Sequence, residues 1–293
     1  MKRRGKLLAV LVFLASCEPA SVTGVGDPAT DAVALRVVTL APHLAELVFA
    51  VGAGEVLAGV SSFTDYPDAA ALLPVVGDAF MIDREQLALL RPDVLLAWES
   101  GTPVHVVDEL RAAGFRVEVI RTRNLDDVAA ALLRIGELTG HRDEAEVQAR
   151  AFRKGIAERK SRFVAAEPLR VFYQVSMRPL YTINAGHYIS ELIAVCGADN
   201  IFSDLGDLAP MVAVEAVIER DPEVLLAGGT GEGGIFDEWQ RWPRLSANRY
   251  GNQFLLPPSE LGRATPRLLQ AADAMCEALQ QARYNRKSLA AAH

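Results

Sequence analysis

The chain has 293 residues, of which 51% are hydrophobic and 23% are charged. This composition is typical of a folded protein with one large domain or two modest ones, and it argues against disorder beyond the two ends. The 37 acidic residues outnumber the 30 Lys and Arg residues, which gives a net charge of −7, and no basic stripe follows the extreme N-terminus. Both facts argue against binding to nucleic acid.

The N-terminus has the order of an export signal. Basic residues cluster between Lys2 and Lys6, and the apolar run that follows, from Leu7 to Ala15, is too short to span a membrane. Its end, in the sequence "LASC", resembles the lipobox of bacterial lipoproteins. We therefore expect a signal peptide over residues 1–17 with a lipid on Cys17; the alternative is a plain secretory signal. Residues 18–34, rich in small residues, are predicted to form a flexible tether.

The next segment, residues 35–142, alternates short apolar runs with helical patterns. The runs "RVVTLAP" and "VLAGVSSF" predict two strands, with the helical stretch "HLAELVFAVGAG" between them. In "DREQLALLRPDVLLAW" a helix ends before Pro92 and a buried strand follows, and "VHVVDELRAAGFRVEVI" predicts another helix and strand. This alternation indicates βα units on a mainly parallel sheet.

Beyond "LDDVAAALLRIGELTG", one amphipathic helix, a charged segment without Pro predicts a single long helix over residues 143–167. The βα pattern then restarts, so we expect a second lobe over 168–283 and a tail over 284–293. The restart "LRVFYQV" echoes "LRVVTLA" 134 residues earlier, and "EAVIERDPEVLLAG" echoes "EQLALLRPDVLLAW" after 130 residues. The predicted fold class is α/β, with two similar, mainly parallel lobes joined by one long helix.

Two such lobes leave a cleft, and ligands of open α/β sheets bind beyond the carboxyl ends of the strands. The candidate ligand-binding residues that follow predicted strands are Phe63, Tyr66, Trp98, Tyr181 and Arg263. Aromatic faces suit a large, flat, partly apolar ligand, and an Arg suits acidic groups on it. The alternative is that each aromatic residue packs in the core of its own lobe.

Two cysteines remain after Cys17. Export would place Cys196 and Cys276 in an oxidising compartment, where a disulfide is allowed, and we expect one between them. The alternative is a pair of buried free thiols.

Several stretches together resemble the vitamin B12-binding periplasmic proteins of ABC importers, which have a helical backbone between their lobes. The stretches are "RVVTLAPHLAELVFAVGAGEVLAGVSSFTDYP", "IDREQLALLRPDVLLAW", "ISELIAVCGADNIF", "VAVEAVIERDPEVLLAGG", "WPRLSA" and "RATPRLLQAADAMCEAL". The resemblance covers nearly all of residues 35–282. It implies a corrinoid held in the cleft, little hinge closure, and delivery to a membrane permease.

The same resemblance assigns roles by position. Phe63, Trp98, Tyr181 and Arg263 fall at ligand contacts, and the cysteine pair falls on a bridged pair. Glu85 and Glu215 fall at surface acids, one per lobe, that dock onto arginines of two permease subunits.

The chain also departs from the family pattern. Ala79 and Ala209 stand where tryptophans cover the ligand, and Ser259 stands where an acid is expected. Because each lost aromatic ring removes a large contact area, another corrinoid, a haem or a siderophore is an alternative ligand. Phe80 or Met211 would fill part of the gap.

Enzymatic signals are weak. Gly229, Gly231 and Gly234 match G-x-G-x-x-G after a predicted strand, but no acid ends the next strand cleanly, so a loop is the simpler interpretation. The five His residues are scattered without metal-ligand spacing, and no nucleophile motif occurs. His43 lies near the predicted cleft, where a contact to a ligand or its iron is an open alternative.

We therefore expect neither an enzyme nor a resident cofactor or metal. The expected function is the extracytoplasmic substrate-binding component of an ABC importer, a monomer that carries cobalamin or a related corrinoid to a permease and ATPase complex in the inner membrane. The expected location is the periplasm, with a lipid anchor on Cys17. A ligand-sensing or scavenging receptor without a permease is the alternative from a different class.

Overall fold

The N-terminal part of the fold alternates strands and helices as the sequence predicts. The computed structural model describes residues 35–231 and 234–291, so the predicted signal peptide, Cys17 and the tether lie outside the described residues. The elements before the long helix are β1 (Val37–Thr39), α1 (Pro42–Ala50), β2 (Leu57–Gly59), α2 (Asp68–Ala71), α3 (Arg84–Leu90), β3 (Val94–Trp98), α4 (Val104–Ala112), β4 (Val117–Ile120) and α5 (Leu125–Thr139).

The long helix α6 (Arg142–Phe163) leads into the C-terminal part. The elements that follow it are β5 (Arg170–Gln174), β6 (Ser176–Met177), β7 (Leu180–Tyr181), α7 (Tyr188–Val195), β8 (Asp199–Asn200), α8 (Val214–Arg220), β9 (Val224–Gly228), α9 (Ser246–Tyr250), β10 (Gln253–Leu256), α10 (Pro258–Leu261) and α11 (Leu268–Ala291). No helix within the described ranges combines the length and apolar character needed to cross a membrane.

Two four-stranded sheets, parallel throughout, define two lobes. Their strand orders are β4-β3-β1-β2 and β10-β9-β5-β8, so the corresponding strands occupy the same places in both sheets. The register also repeats, since Val37 pairs with Val94 and Val171 pairs with Val224. The predicted α/β class with two mainly parallel lobes is thereby confirmed.

Both faces of each sheet are buried, as parallel sheets require. Along β3, Val94 and Leu96 enter one large core cluster that includes residues of both lobes, whereas Leu95 and Ala97 enter a cluster confined to the N-terminal lobe. Strand β9 alternates in the same way between the shared cluster and a cluster of the C-terminal lobe. The lobes are therefore continuous through one core on their inner faces.

The long helix is held by a narrow buried stripe. Ala145, Ala149, Phe152 and Gly155 recur at helical spacing and are buried, while most of the helix is charged and exposed. A side chain at Gly155 would come within 2.9 Å of Leu269 beside the start of α11, so this glycine permits the close approach of the two helices.

The lobe boundaries that the sequence indicates, 35–142 and 168–283, stay predictions. The tail over residues 284–293 also stays a prediction; helix α11 continues into it as far as Ala291.

The first copies of the two echoed sequences meet where the inner strands β1 and β3 of the N-terminal sheet begin. The main-chain N–H of Arg36, just before β1, donates to Asp93 Oδ2 at 2.7 Å, and the Arg36 side chain donates through Nε to the carbonyl of Leu90 at 2.7 Å. Leu90 ends α3, and Arg91 follows in the left-handed conformation with φ 46°. Because Pro92 cannot continue a helix, the chain turns here and β3 begins beside β1.

The second copies of the two echoed sequences meet in the same way in the C-terminal lobe. The Arg170 N–H donates to Glu223 Oε2 at 3.0 Å, and Arg170 Nη2 donates to the carbonyl of Asp221 at 2.7 Å. Asp221, at the end of α8, is again left-handed with φ 40°. The Arg before the first strand and the acid after the proline therefore form one interlock, present once per lobe.

The two interlocks differ in burial, which predicts different costs of removal. Glu223 is 8% exposed and also accepts from Arg286 Nη1 at 2.9 Å, whereas Asp93 is exposed. We expect Glu223→Ala to lower the free energy of unfolding by about 2 kcal/mol and Asp93→Ala by about 1 kcal/mol, because buried partners left unpaired cost more. Denaturant unfolding measures both, with Glu223→Gln and Asp93→Asn as matched variants that keep an acceptor. A larger loss for Asp93→Ala would contradict this account.

Candidate functional site

A cavity of about 160 Å³ lies where the carboxyl ends of the N-terminal strands face the C-terminal lobe. The N-terminal lobe contributes the segments after β1 and β4 and the last residue of β3. The C-terminal lobe contributes the start of α7 and the segment after α10. The lining residues are Ala41, Pro42, His43, Trp98, Thr122, Tyr188, Gly262, Arg263 and Ala264. This is the position at which open parallel sheets bind ligands.

Two of the five predicted ligand-binding residues, Trp98 and Arg263, line this cavity together. Phe63 lies outside its lining with 82% of its surface exposed, although its carbonyl accepts from Arg263 Nη2 at 3.2 Å. Tyr66 is 46% exposed and lies beneath the Arg267 guanidinium, 4.2 Å from its ring centre. Tyr181 is half-buried and pairs with the backbone of Met211. Ligand contact by these five residues stays a prediction.

Trp98 is fixed by its surroundings at the end of β3. The main-chain N–H of Trp98 donates to Thr102 Oγ1 at 3.0 Å. The lack of a side chain at Gly101 leaves room for the indole ring. The indole Nε1 is buried and has no hydrogen-bond partner within the described residues. A buried donor without a partner is uncommon in proteins, which makes this nitrogen an unusual feature of the site.

His43 is one of the residues that line the cavity. It is 5% exposed, meets Trp98 edge to face at 4.9 Å, and lies 3.5 Å from Thr122 Oγ1. Burial, and then the positive charge of Arg263, lower the pKa of His43 to about 3. The imidazole is therefore neutral at physiological pH and has a nitrogen lone pair to offer. No group of three or more His, Cys, Asp or Glu side chains in the described ranges is placed to hold a metal ion.

The charge of Arg263 is already balanced within the protein. Its Nη1 donates to Glu46 Oε1 at 2.8 Å and also pairs with Asp65, both from the N-terminal lobe. Burial disfavours the charged guanidinium, but these two carboxylates leave the pKa of Arg263 raised. The hydrogen bond between Arg263 and Asp65 lowers the pKa of Asp65. The charge of Arg263 is thus shared with two carboxylates of the protein, and its contact with acidic groups on a ligand stays a prediction.

Glu46 is the centre of the contacts between the lobes on this side. Its side chain, on α1, is 2% exposed. It accepts from three residues of one short C-terminal segment: Arg263 Nη1, Thr265 Oγ1 at 3.1 Å and Arg267 Nη1 at 3.3 Å. Sequence reasoning missed Glu46. The available signal was an acid on a helix, "HLAELVFA", whose other positions are mostly apolar.

A second set of contacts between the lobes begins at Tyr188, which also lines the cavity. The Tyr188 N–H donates to the carbonyl of Arg123 at 2.6 Å. The Leu125 N–H, at the start of α5, donates to Glu191 Oε2 at 2.7 Å, and burial raises the pKa of this carboxyl group. Arg263 and Tyr188, which both line the cavity, therefore each make polar contacts with the N-terminal lobe.

The predicted docking acids occupy equivalent positions. Glu85 lies in the first turn of α3 and Glu215 in the first turn of α8, and both are exposed. Two residues further on, Leu87 and Val217 are each fully buried in their own lobe.

Three further features predicted from the sequence are the disulfide, the glycine-rich segment after β9 and the substituted family positions. The disulfide between Cys196 and Cys276 is confirmed and joins the end of α7 to α11. Gly229 follows β9, but the next described element is a short 3₁₀ helix at Asp237–Arg241 rather than the α-helix of a dinucleotide site. Three positions lack the residue that the family pattern leads one to expect: Ala79 is half-buried, while Ala209 and Ser259 are exposed.

A cleft between two parallel sheets, joined by one long helix and lined from both lobes, defines a two-lobed ligand-binding protein. The chain belongs to the periplasmic binding protein family, whose pattern it matches over residues 37–256.

Two relatives illustrate its similarity to known proteins. The vitamin B12-binding protein of Vibrio cholerae (serotype O1, El Tor Inaba N16961) is 32% identical over 243 residues, which cover 82% of this chain and 87% of the relative. That of Pectobacterium atrosepticum is 33% identical over 257 residues, covering 86% and 90%.

Solved structures show the same fold. The crystal structure of the periplasmic vitamin B12-binding protein BtuF of Vibrio cholerae matches with a TM-score of 0.76 and 32% identity, covering 85% of this chain and 97% of the other. The periplasmic haem-binding protein RhuT from Roseiflexus sp. RS-1 matches with a TM-score of 0.74 over 85% and 99% of the two chains, at 24% identity. The latter likeness concerns the fold alone.

The structural role of Glu46 predicts a large effect of a small change. Glu46→Gln removes the negative charge that two arginines share while keeping the side-chain volume. We expect the free energy of unfolding to fall by about 2–4 kcal/mol, since breaking a buried ion pair leaves charges unpaired. Glu55→Gln is the matched control, because Glu55 is 64% exposed in its pair with His141 and should cost less than about 1 kcal/mol. Equal effects in denaturant unfolding would refute a special role for Glu46.

Proposed function

We propose that the protein is the substrate-binding component of an ABC importer, which captures cobalamin or a related corrinoid between its lobes and delivers it to a membrane permease. The observation that supports this most is the identity of about one third to vitamin B12-binding proteins, which extends through both lobes and the segments that line the cleft. The cargo is not a resident cofactor, and the proposal requires no catalytic group.

The charges around the cleft favour a ligand whose polar groups are neutral. Arg121, Arg123 and Arg263 each pair with a carboxylate of the protein. Haem has two carboxylates that need cations without partners, whereas the side chains of a corrinoid are amides. An arginine with a balanced charge suits amide oxygens. Haem or an iron siderophore stays the alternative ligand, supported by the shared fold alone.

The size of the cavity indicates where a corrinoid would lie. At about 160 Å³ it is smaller than the roughly 300–1,000 Å³ that pockets for drug-sized ligands provide. A macrocycle would therefore lie across the mouth of the cleft, where Phe63 and Tyr66 are exposed and Tyr181 is half-buried, with Trp98 below it. The cavity itself has room for a side chain of the ligand.

The ligand is identified by titration of the purified protein with cyanocobalamin, cobinamide and haem, followed by visible absorbance. We expect both corrinoids to bind more tightly than haem. Trp98→Ala should weaken corrinoid binding by about tenfold or more, because an aromatic contact of large area is lost. Trp242→Ala, which alters a half-buried tryptophan packed against Trp239, should leave the affinity unchanged. Binding of haem with no binding of either corrinoid would overturn the cargo assignment and leave the fold untouched.

Delivery requires a partner. We propose that Glu85 and Glu215 dock onto basic residues of the two permease subunits, since each is an exposed acid at the same place in its lobe. We further infer that the protein works as a monomer in the periplasm, held by a lipid on Cys17. An oxidising compartment also suits the disulfide.

The docking acids are tested by Glu85→Ala combined with Glu215→Ala. We expect import to be lost while cyanocobalamin affinity is retained, because the acids lie away from the cavity lining. Glu146→Ala with Glu158→Ala, two exposed acids of α6, is a control with the same change in charge. Import that continues unchanged in the first variant would favour a sensing or scavenging receptor over a transporter.

A further inference from the structure

Two exposed methionines stand at the same distance from the two docking acids. Met81 lies four residues before Glu85, and Met211 lies four residues before Glu215. Their exposed fractions are 78% and 66%. Single exposed apolar residues are ordinary on protein surfaces, but the same residue type at the same offset in two lobes is not explained in that way.

The match is structural as well as numerical. The residue after each methionine, Ile82 or Val212, packs partly buried against the core cluster of its own lobe. In both lobes a fully buried residue then follows five positions later, in the helix that carries the acid. Because neighbouring side chains of an extended segment point to opposite sides, each methionine is directed outward where its neighbour is directed inward.

The chain keeps each methionine close to its acid. Four residues span at most about 14 Å even when fully extended, so one Met and one Glu share a patch on each lobe. A flexible thioether adapts to apolar pockets of varied shape, and Met is enriched in protein interfaces. An acid beside an apolar knob is complementary to a basic group beside an apolar pocket.

We propose that Met81 and Met211 are the apolar half of two matching contact sites, each consisting of one Met and one Glu, that dock onto a partner presenting the same surface twice. This inference rests on the proposed function, in which the partner is a pair of permease subunits. Each subunit would offer a basic side chain for the acid and an apolar pocket for the methionine. The equivalence of the two lobes, including their corresponding strand order, favours a partner that presents the same surface twice.

The test measures binding of the full protein to its cognate permease and ATPase complex in nanodiscs, together with the ATP hydrolysis that binding stimulates. We expect Met81→Ala with Met211→Ala to weaken docking by about tenfold or more, because the apolar area is lost from both contacts. Cyanocobalamin affinity, measured in the same variant, should change less than docking does, since neither methionine lines the cavity. Met211 pairs with Tyr181, but through its backbone, which the Ala variant retains.

Two variants control for nonspecific effects. Met81→Leu with Met211→Leu keeps the apolar area and should retain docking within about threefold. Val164→Ala removes an 83% exposed apolar side chain at the end of α6, away from the two patches, and should change nothing.

Unchanged docking in the double Ala variant would overturn the proposal, and so would loss of corrinoid affinity with docking intact, which would assign the methionines to the ligand. Met81→Ala and Met211→Ala are also measured singly, and an effect from only one of them would overturn the symmetric contact. The double Ala variant of Glu85 and Glu215, measured alongside, tests the proposed function separately. The proposed function fails if this variant docks as well as the wild type, or if the wild type itself does not dock.

Discussion

The geometry of the cleft depends on one buried carboxylate. Glu46, nearly removed from water, is stable there because three donors from the segment between α10 and α11 surround it. A buried charge without such partners is costly, so the two lobes are held where all three donors reach it. Arg263 therefore lies across the gap between the lobes, and its charge is used by the protein before any ligand arrives.

Within each lobe a second device repeats. The arginine before the first strand and the acid after the proline hold the end of one helix against the start of the central strands. The echoed sequences are thus the two partners of one contact, and their different offsets, 134 and 130 residues, reflect a slightly different length of chain between them. The common strand order of the two sheets indicates that the lobes are copies of one βα design.

The fold was largely predictable because its signals are local. Buried runs such as "VLLAW", prolines that end helices, and an uninterrupted charged helix identify their elements within a few residues. The lining of the cleft was harder to predict, since Glu46 and Arg263 are 217 residues apart and nothing near either one names its partner. Placement after a strand correctly brought Trp98 and Arg263 to one cavity, but it could not show that Phe63 points to solvent or that Arg263 is already paired. The sequence does not indicate that α11 continues to Ala291, because the exposed residues near its end have little apolar periodicity.

The interlock has a consequence for how such a protein changes over evolutionary time. Helices α3 and α8, which carry Glu85 and Glu215, end inside it, whereas the loop that carries Phe63 lies outside it. Substitutions in that loop can alter the surface beside Arg263 without moving the two helices. The contacts that a ligand meets beside the cleft can therefore change while the exposed acids of α3 and α8 keep their positions.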